Sequence, residues 1–210
     1  MIHELLPFKN IIFDLGGVIL DLGIEKTIQE FKKIGIPDFD KLYSYFKSSK
    51  IFIDFELGKI TPNDFRNQLR KFTNNNLSDE EIDFAWNTMI VNIPLERLQL
   101  LEKLSERYRT FLLSNTNEIH LKCYNNIIKK KSGHFSLADI MEKAYYSHEI
   151  HFKKPDPRAY EYVLSKNDLK AKETLFIDDF NKNVDAAIKL GMKAFQLEDP
   201  DKLVEYFEKV

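Results

Sequence analysis

The sequence predicts an α/β protein with a doubly wound parallel sheet into which an all-helical domain is inserted. Five short segments rich in Ile, Phe, Leu and Tyr have the continuous apolar character of strands that are buried on both faces. Amphipathic helical patterns separate the later four segments, as parallel strands require. Roughly ninety residues lie between the first and second segments, far more than a simple crossover needs, and their helical periodicity predicts the inserted domain.

The core elements alternate in the order expected for a Rossmann-like sheet. The predicted strands are Ile11–Leu15, Thr110–Ser114, Ala144–Ser147, Thr174–Ile177 and Ala194–Leu197. The helices predicted after the later four strands are Ile119–Lys131, Arg158–Ser165, Val184–Leu190 and Leu203–Lys209. Gly191 is a natural stop for the third of these helices. Such alternation implies a parallel sheet with right-handed crossovers.

The inserted segment has the periodicity of several amphipathic helices. The predicted helices are Ile24–Ile34, Phe39–Ser48, Pro62–Phe72 and Asp79–Met89, and Leu95–Leu104 is expected to return to the core. Thr61 before Pro62 is a favourable helix start, and Ser78 with Glu81 has the spacing of a capping box. The predicted domains are a core of residues 1–21 and 94–210 and a helical cap of residues 22–93.

The 210-residue chain has the composition of a globular protein with nearly balanced charge. It has 31 Lys and Arg against 33 Asp and Glu, a formal charge of −2, which argues against a nucleic-acid-binding protein. No apolar run is long enough to span a membrane, and the first residues lack the pattern of a secretory signal. The single cysteine, Cys123, cannot form an intrachain disulfide, so we expect a cytoplasmic protein. The sequence does not indicate an oligomeric state.

The first strand pattern runs into Asp14 and then into the turn Gly16–Gly17. A carboxylate at the end of a buried strand lies where open α/β sheets bind ligands. Taken alone, the segment fits equally well a strand and turn with an incidental aspartate. Its meaning therefore depends on the residues that follow the other strands.

The second strand is followed by Ser114, Asn115, Thr116 and Asn117. One interpretation is a helix start, because Asn115 and Glu118 have the spacing of a capping box. The other interpretation makes Ser114 and the nearby backbone amides a cradle for a phosphate at a helix N-terminus. The two interpretations are compatible.

Charged residues also follow the third and fourth strands. Lys153 and Lys154 precede Pro155, in a segment that fits a solvated turn with surface lysines. Asp178 and Asp179 end the fourth strand, and they fit either a pair of acids that cap a helix or a metal site. Two adjacent carboxylates at a buried strand end repel one another unless a cation lies between them. Because Mg²⁺ prefers a few carboxylates with water and a substrate phosphate, the pair favours a magnesium site.

In this order, the segments at Asp14, Ser114, Lys154 and Asp178 resemble the four motifs of the haloacid dehalogenase superfamily, mostly phosphatases with an aspartate nucleophile. The combination of Phe-Asp-Leu-Gly-Gly-Val with Leu-Ser-Asn-Thr-Asn is similar to a bacterial branch related to α-glucose-1-phosphate phosphatases. The helical insert matches the cap that many members carry between their first and second motifs. One position departs from the family, because Gly16 stands where its phosphatases usually carry a second aspartate.

The resemblance implies a Mg²⁺-dependent phosphomonoester hydrolase that acts through an aspartyl-phosphate on a small phosphorylated metabolite, with a sugar 1-phosphate as one candidate. The implied catalytic residues are Asp14 as the nucleophile, Ser114 and Lys154. The expected substrate-binding residues are Gly17, Ser114, Asn115, Lys154 and, from the cap, Glu56. The implied metal ligands are Asp14, the Gly16 carbonyl, Asp179 and, through water, Asp178. Asn183 completes the fourth motif.

Two alternatives stay open. A hydrolytic dehalogenase would also use an aspartate nucleophile, but it needs no Mg²⁺, and the Asp178–Asp179 pair counts against it. A non-catalytic member would bind a phosphorylated ligand or a protein partner, having lost its general acid at Gly16. If the chain is a phosphatase, Asp21, Glu56 or a substrate hydroxyl would have to supply the missing proton.

Overall fold

A five-stranded parallel sheet lies at the centre of the computed structural model, which describes residues 8–46, 50–74 and 76–208. The strands are β1 (Asn10–Phe13), β2 (Asp21–Leu22), β3 (Ile90–Asn92), β4 (Arg109–Ser114), β5 (Lys143–Tyr146), β6 (Thr174–Asp178) and β7 (Lys193–Gln196). The parallel sheet has the order β5-β4-β1-β6-β7. The five predicted core strands are therefore confirmed, with ends that differ by one or two residues.

Helices cover both faces of this sheet. The described helices are α1 (Ile24–Lys33), α2 (Phe39–Phe46), α3 (Lys50–Glu56), α4 (Pro62–Arg70), α5 (Asp79–Asn87), α6 (Leu95–Ser105), α7 (Glu118–Ser132), α8 (Ser147–Ile150), α9 (Pro157–Lys166), α10 (Asn181–Lys189) and α11 (Leu203–Glu208). Ile11 and Phe13 of β1 belong to an apolar cluster with α6, α7 and α11. Ile12 belongs to a second cluster with α9 and α10. Burial on both faces explains why β1 is continuously apolar in sequence.

The helices α1 to α5 form the predicted helical insert between β1 and β4. They form an apolar cluster together with Ile119 of α7, and its buried aromatic members are Phe31, Phe39, Phe52, Phe55, Phe65 and Trp86. The chain leaves and re-enters the core through β2 and β3, which pair as a small antiparallel sheet. The domain limits at residues 22 and 93 stay a prediction, and they fall at or beside these two strands. Across the described ranges, no helix combines the length and apolar character needed to cross a membrane.

The helix starts within the insert follow local capping chemistry. Thr61 caps α4 and Ser78 caps α5, each hydrogen-bonded to the third residue of its helix in a capping box. Both predicted starts are confirmed. The sequence does not predict the short helix α3. The predicted ends of two helices, at Ser48 and Lys209, lie outside the described residues.

Two local predictions are wrong because tertiary contacts decide them. Ser147 does not end the third strand but begins α8, and its hydroxyl hydrogen-bonds both the N–H and the carbonyl of Thr116, at 3.0 Å each. Asn115 does not cap α7. Asn117 does, because its Oδ1 accepts from the N–H of His120 at 3.1 Å.

Candidate active site

Asp14 and Asp178 lie side by side at the carboxyl edge of the sheet. Asp14 directly follows β1 and Asp178 ends β6, and these two strands are paired with Phe13 opposite Ile177. The N–H of Asp14 extends this ladder by donating to the carbonyl of Ile177 at 2.8 Å. The parallel register therefore brings both carboxylates to the edge where α/β sheets bind ligands.

Lys154 connects these two carboxylates. Its Nζ lies 2.7 Å from Asp14 Oδ1 and 2.6 Å from Asp178 Oδ2, and the residue is only 2% exposed. The side chain of Asn115 holds the backbone of Lys154 from both sides: its Nδ2 donates to the carbonyl at 2.8 Å and its Oδ1 accepts from the N–H at 2.9 Å. Asn115, expected to bind substrate, thus orients Lys154 with its side-chain amide.

The charges in this cluster are strongly coupled. Burial raises the pKa of Asp14 to about 7, although the Lys154 ammonium opposes the shift, and the Asp178 and Asp179 carboxylates add to it. Burial disfavours the ammonium, but Asp14 and Asp178 outweigh this and hold the pKa of Lys154 above its usual value. Three carboxylates around one ammonium leave an excess of negative charge that a bound cation would relieve.

The three carboxylates are close enough to share one metal ion. Asp14, Asp178 and Asp179 each offer an oxygen, and these oxygens all lie within 4.8 Å of one another. Oxygen donors with excess negative charge fit a hard divalent cation such as Mg²⁺. Asp178 already accepts from Lys154, from the Phe180 N–H at 2.9 Å and from Asn183 Nδ2 at 2.9 Å, which suits a ligand that acts through water.

Gly17 has a structural reason to be glycine. Its φ is +70°, in the left-handed region, and a Cβ built on it would lie 2.3 Å from Asp179 Oδ2. Any side chain at this position would displace the Asp179 carboxylate. Gly17 therefore sets the place of a candidate metal ligand by letting the backbone approach it.

The loop after β4 is shaped by contacts within the core. Ser114 is buried at the end of β4 and lines the cavity next to Asp14. The N–H of Thr116 donates to the Ser147 hydroxyl, so this amide is directed away from a phosphate. Ser114, Asn115, Thr116 and Asn117 of this loop all line the cavity, and Ser114 is the one that ends β4.

A cavity of about 410 Å³ lies between the core and the cap. The predicted site residues that line it are Asp14, Gly16, Glu56, Ser114, Asn115, Lys154 and Asp179. Asp178 is buried beneath the residues that line the cavity, and Gly17 packs against Asp179. Glu56 forms an ion pair with Lys153, which joins the end of α3 to the core. A more open groove of about 670 Å³ between α4, α5 and α7 is lined, among the described residues, by none of these site residues.

Sequence reasoning missed one wall of the cavity, formed where α5 of the cap meets α7 of the core. The rings of Trp86 and His120 are stacked with centroids 4.8 Å apart. His120 Nε2 donates to the carbonyl of Trp86 at 3.1 Å, and its Nδ1 accepts from Asn117 Nδ2 at 3.2 Å. Burial lowers the pKa of His120 to about 4, so the ring is neutral near pH 7. Isolated aromatic and histidine residues carry no local signal for such a contact.

Asp21, one of the groups that could replace the missing acid, is engaged elsewhere. Its Oδ1 lies 2.6 Å from Arg97 Nη1, and Arg97 is fully buried at the start of α6. Arg97 also donates to Asp201 Oδ1 at 2.8 Å. The Asp21 carboxylate thus anchors β2 to the core, and among the described candidates Glu56 is the one that lines the cavity.

Known proteins are similar to this chain in sequence and in fold. The sequence model of the haloacid dehalogenase-like hydrolase family matches residues 8–191 of this chain. D-Ribitol-5-phosphate phosphatase from Bacteroides thetaiotaomicron is 32% identical over 191 residues, covering 91% of this chain and 92% of the relative. Sesquiterpene phosphatase astK from Aspergillus oryzae is 28% identical over 194 residues, covering 91% of both chains.

A solved structure is similar over almost the whole fold. It is a HAD family enzyme from Bacteroides thetaiotaomicron in complex with magnesium and inorganic phosphate. The identity is 38%, the alignment covers 90% of this chain and 94% of that chain, and the TM-score is 0.82. The family resemblance derived from the four motifs is therefore confirmed, and the chain belongs to the haloacid dehalogenase-like hydrolases.

Proposed function

We propose that this chain is a Mg²⁺-dependent phosphomonoester hydrolase that acts through an aspartyl-phosphate at Asp14. The observation that carries the proposal is the cluster of three carboxylates on the floor of the cavity, two of which pair with the buried Lys154 ammonium. Two relatives named as phosphatases and a similar fold with magnesium and phosphate support it. A hydrolytic dehalogenase needs no Mg²⁺, so the additional carboxylates count against that alternative.

The metal would be held by Asp14, Asp179 and the Gly16 carbonyl, with Asp178 acting through water. When bound, Mg²⁺ supplies positive charge beside the phosphate and keeps the nucleophile ionised. The raised pKa of Asp14 in this cluster is consistent with a site that requires such a countercharge.

The side chains of the core supply the remaining chemistry. A carboxylate oxygen of Asp14 attacks phosphorus, the bond to the leaving oxygen breaks, and an acyl-phosphate forms. Lys154 and Ser114 bind the non-bridging oxygens, while Asn115 and Asp178 keep Lys154 in place. Water then attacks the phosphorus, which frees inorganic phosphate and returns Asp14 to its carboxylate form.

We propose a small phosphorylated metabolite as the substrate, because the cavity between the core and the cap holds about 410 Å³. Glu56 and Lys153 can hydrogen-bond the hydroxyl groups of a sugar or polyol, such as the substrate in the name of the ribitol-phosphate relative. Gly16 offers no acid for the leaving oxygen, which favours a sugar 1-phosphate, since an anomeric hydroxyl leaves more readily than a primary alcohol. A primary ester would need its proton from Glu56 or from a substrate hydroxyl.

The test is a screen of phosphate esters with Mg²⁺ present, repeated after exhaustive chelation. We expect hydrolysis that chelation abolishes and that Asp14→Asn removes without loss of the fold, because an amide cannot form the acyl-phosphate. Mass spectrometry of the variant excludes deamidation back to aspartate. Turnover that survives chelation, or substantial activity of the Asp14→Asn variant, would contradict the proposal. Hydrolysis of a 2-haloacid without metal would favour the dehalogenase, and no turnover at all would favour a binding protein.

A further inference from the structure

Leu22 fills the space in which a side chain at position 16 would lie. Gly16 does not have a positive φ, so its backbone conformation would accept a side chain. A Cβ built on Gly16 meets Leu22 alone among its nearest neighbours: it would lie 2.9 Å from Cδ1, 3.4 Å from Cγ and 3.5 Å from Cδ2. Two residues from the candidate nucleophile Asp14, the site therefore presents a hydrocarbon side chain where a carboxylate could have stood.

The position of Leu22 is set by the strands that join core and cap. Leu22 pairs with Ile90 across β2 and β3, and the N–H of Gly23 donates to the carbonyl of Met89 at 2.8 Å. These pairings bring Leu22, Met89 and Ile90 to one wall of the cavity. The ion pair of Glu56 and Lys153 lines another part of the cavity, since Glu56 ends α3 and Lys153 lies in the loop before Pro155.

The apolar wall is incompletely covered by protein. Leu22 is 45% exposed, Ile24 is 38% exposed and Phe180 is 50% exposed, and all three line the same cavity as Asp14. A ligand that covers these apolar side chains binds more favourably, because burying apolar surface removes it from water. A charged ligand group placed there would lose water without gaining a partner.

We propose that Leu22 is a specificity-determining residue that contacts the leaving group beside the ester oxygen. It favours uncharged leaving groups with an apolar face, such as a hydrocarbon chain or the C–H face of a sugar ring. It disfavours leaving groups that carry a carboxylate near the phosphorus. The inference rests on the proposed function, because it takes Asp14 as the group that faces the phosphate.

Non-hydrolysable phosphonates test this contact by calorimetry in the presence of Mg²⁺. Butylphosphonate and 3-phosphonopropionate have similar lengths, but only the second carries a carboxylate at its far end. We expect the wild-type protein to bind butylphosphonate about tenfold more tightly, the equivalent of one to two methylene groups transferred from water. Leu22→Asn should lower this ratio about fivefold and leave the affinity for inorganic phosphate unchanged.

Leu95→Asn is the matched control, because Leu95 is 40% exposed but does not line the cavity. It should retain the wild-type ratio, and Leu22→Ala should behave between wild type and Leu22→Asn. An unchanged ratio in both Leu22 variants, or the same fall in Leu95→Asn, would overturn the inference. Turnover across the screen of phosphate esters by the same wild-type preparation is measured separately. No turnover of any ester would refute the hydrolase, whereas the phosphonate ratios would still decide whether Leu22 contacts the bound ligand.

Discussion

Asp178 and Asp179 are adjacent in the chain, but we predict that their alanine variants fail for different reasons. Asp178 is completely buried and accepts hydrogen bonds from Lys154 Nζ at 2.6 Å and from Phe180 N and Asn183 Nδ2 at 2.9 Å each. Asp179 is exposed at the cavity surface. The first carboxylate therefore supports the fold of the site, and the second faces the cavity, where it can serve a ligand.

The size of the effect follows from these contacts. Asp178→Ala removes the acceptor of the buried Asn183 Nδ2 and of the partly buried Phe180 N–H. It also removes one of the two carboxylates that pair with the Lys154 ammonium, the other being Asp14. Leaving a buried donor without its acceptor typically costs about 1–3 kcal/mol, whereas the Lys154 ammonium keeps Asp14 as its partner. We expect the free energy of unfolding of Asp178→Ala to fall by this amount for each donor that loses its acceptor. The free energy of unfolding of Asp179→Ala should stay within about 0.5 kcal/mol of wild type. Both variants should lose phosphatase activity.

Urea denaturation followed by circular dichroism measures the difference. The midpoint of Asp178→Ala should fall by about 1–2 M, and that of Asp179→Ala should stay close to wild type. Asp178→Asn keeps an oxygen for Phe180 and Asn183, so its midpoint should lie between these limits. Equal midpoints for the two alanine variants would refute the reasoning, since they would mean that the hydrogen bonds accepted by Asp178 do not stabilise the fold.

Three further predictions concern other parts of the site. Burial lowers the pKa of His120 to about 4 in the folded protein, against about 6.5 when it is unfolded. Between these pH values His120 is therefore protonated in the unfolded chain and neutral in the folded protein. The contribution of His120 to stability should fall by about 3 kcal/mol between pH 6.5 and pH 4, while the raised pKa of Asp14 contributes in the opposite direction. The stability difference between wild type and His120→Gln in urea titrations should therefore change by about this amount across the window, and a constant difference would exclude His120 as the cause. Gly17→Ala should weaken the activation of the enzyme by Mg²⁺, because its Cβ would lie 2.3 Å from Asp179 Oδ2. Gly16→Ala should retain most activity, because its Cβ would contact only the flexible end of the Leu22 side chain. Similar Mg²⁺ titrations for the two variants would count against this prediction. Gly16→Asp should reduce the dependence of kcat/KM on leaving-group pKa across a series of esters, and a flat dependence in the wild type would mean that another group already donates the proton.

Much of the fold can be predicted from the sequence because it depends on contacts within short segments. The continuous apolar runs of the strands and the capping boxes at Thr61 and Ser78 are local patterns, and the structure contains them. Asp14 and Asp178 follow from the same logic, since parallel strands bring their carboxyl ends to one edge. The short helix α3 is not predicted, because a helix of this length depends on tertiary packing more than on its own sequence.

The chain by itself therefore determined the α/β sheet, the helical insert and the strand ends that carry acids, because hydrogen-bonding and hydrophobic periodicity are properties of consecutive residues. The partners and the burial of neighbouring, chemically similar residues depend on contacts that are distant in sequence. Lys154 is buried between two carboxylates while Lys153 pairs with Glu56 of the cap, and the two lysines differ only in which distant groups they meet. The contact between Gly16 and Leu22 likewise depends on where the packed core brings β2, which no local pattern encodes.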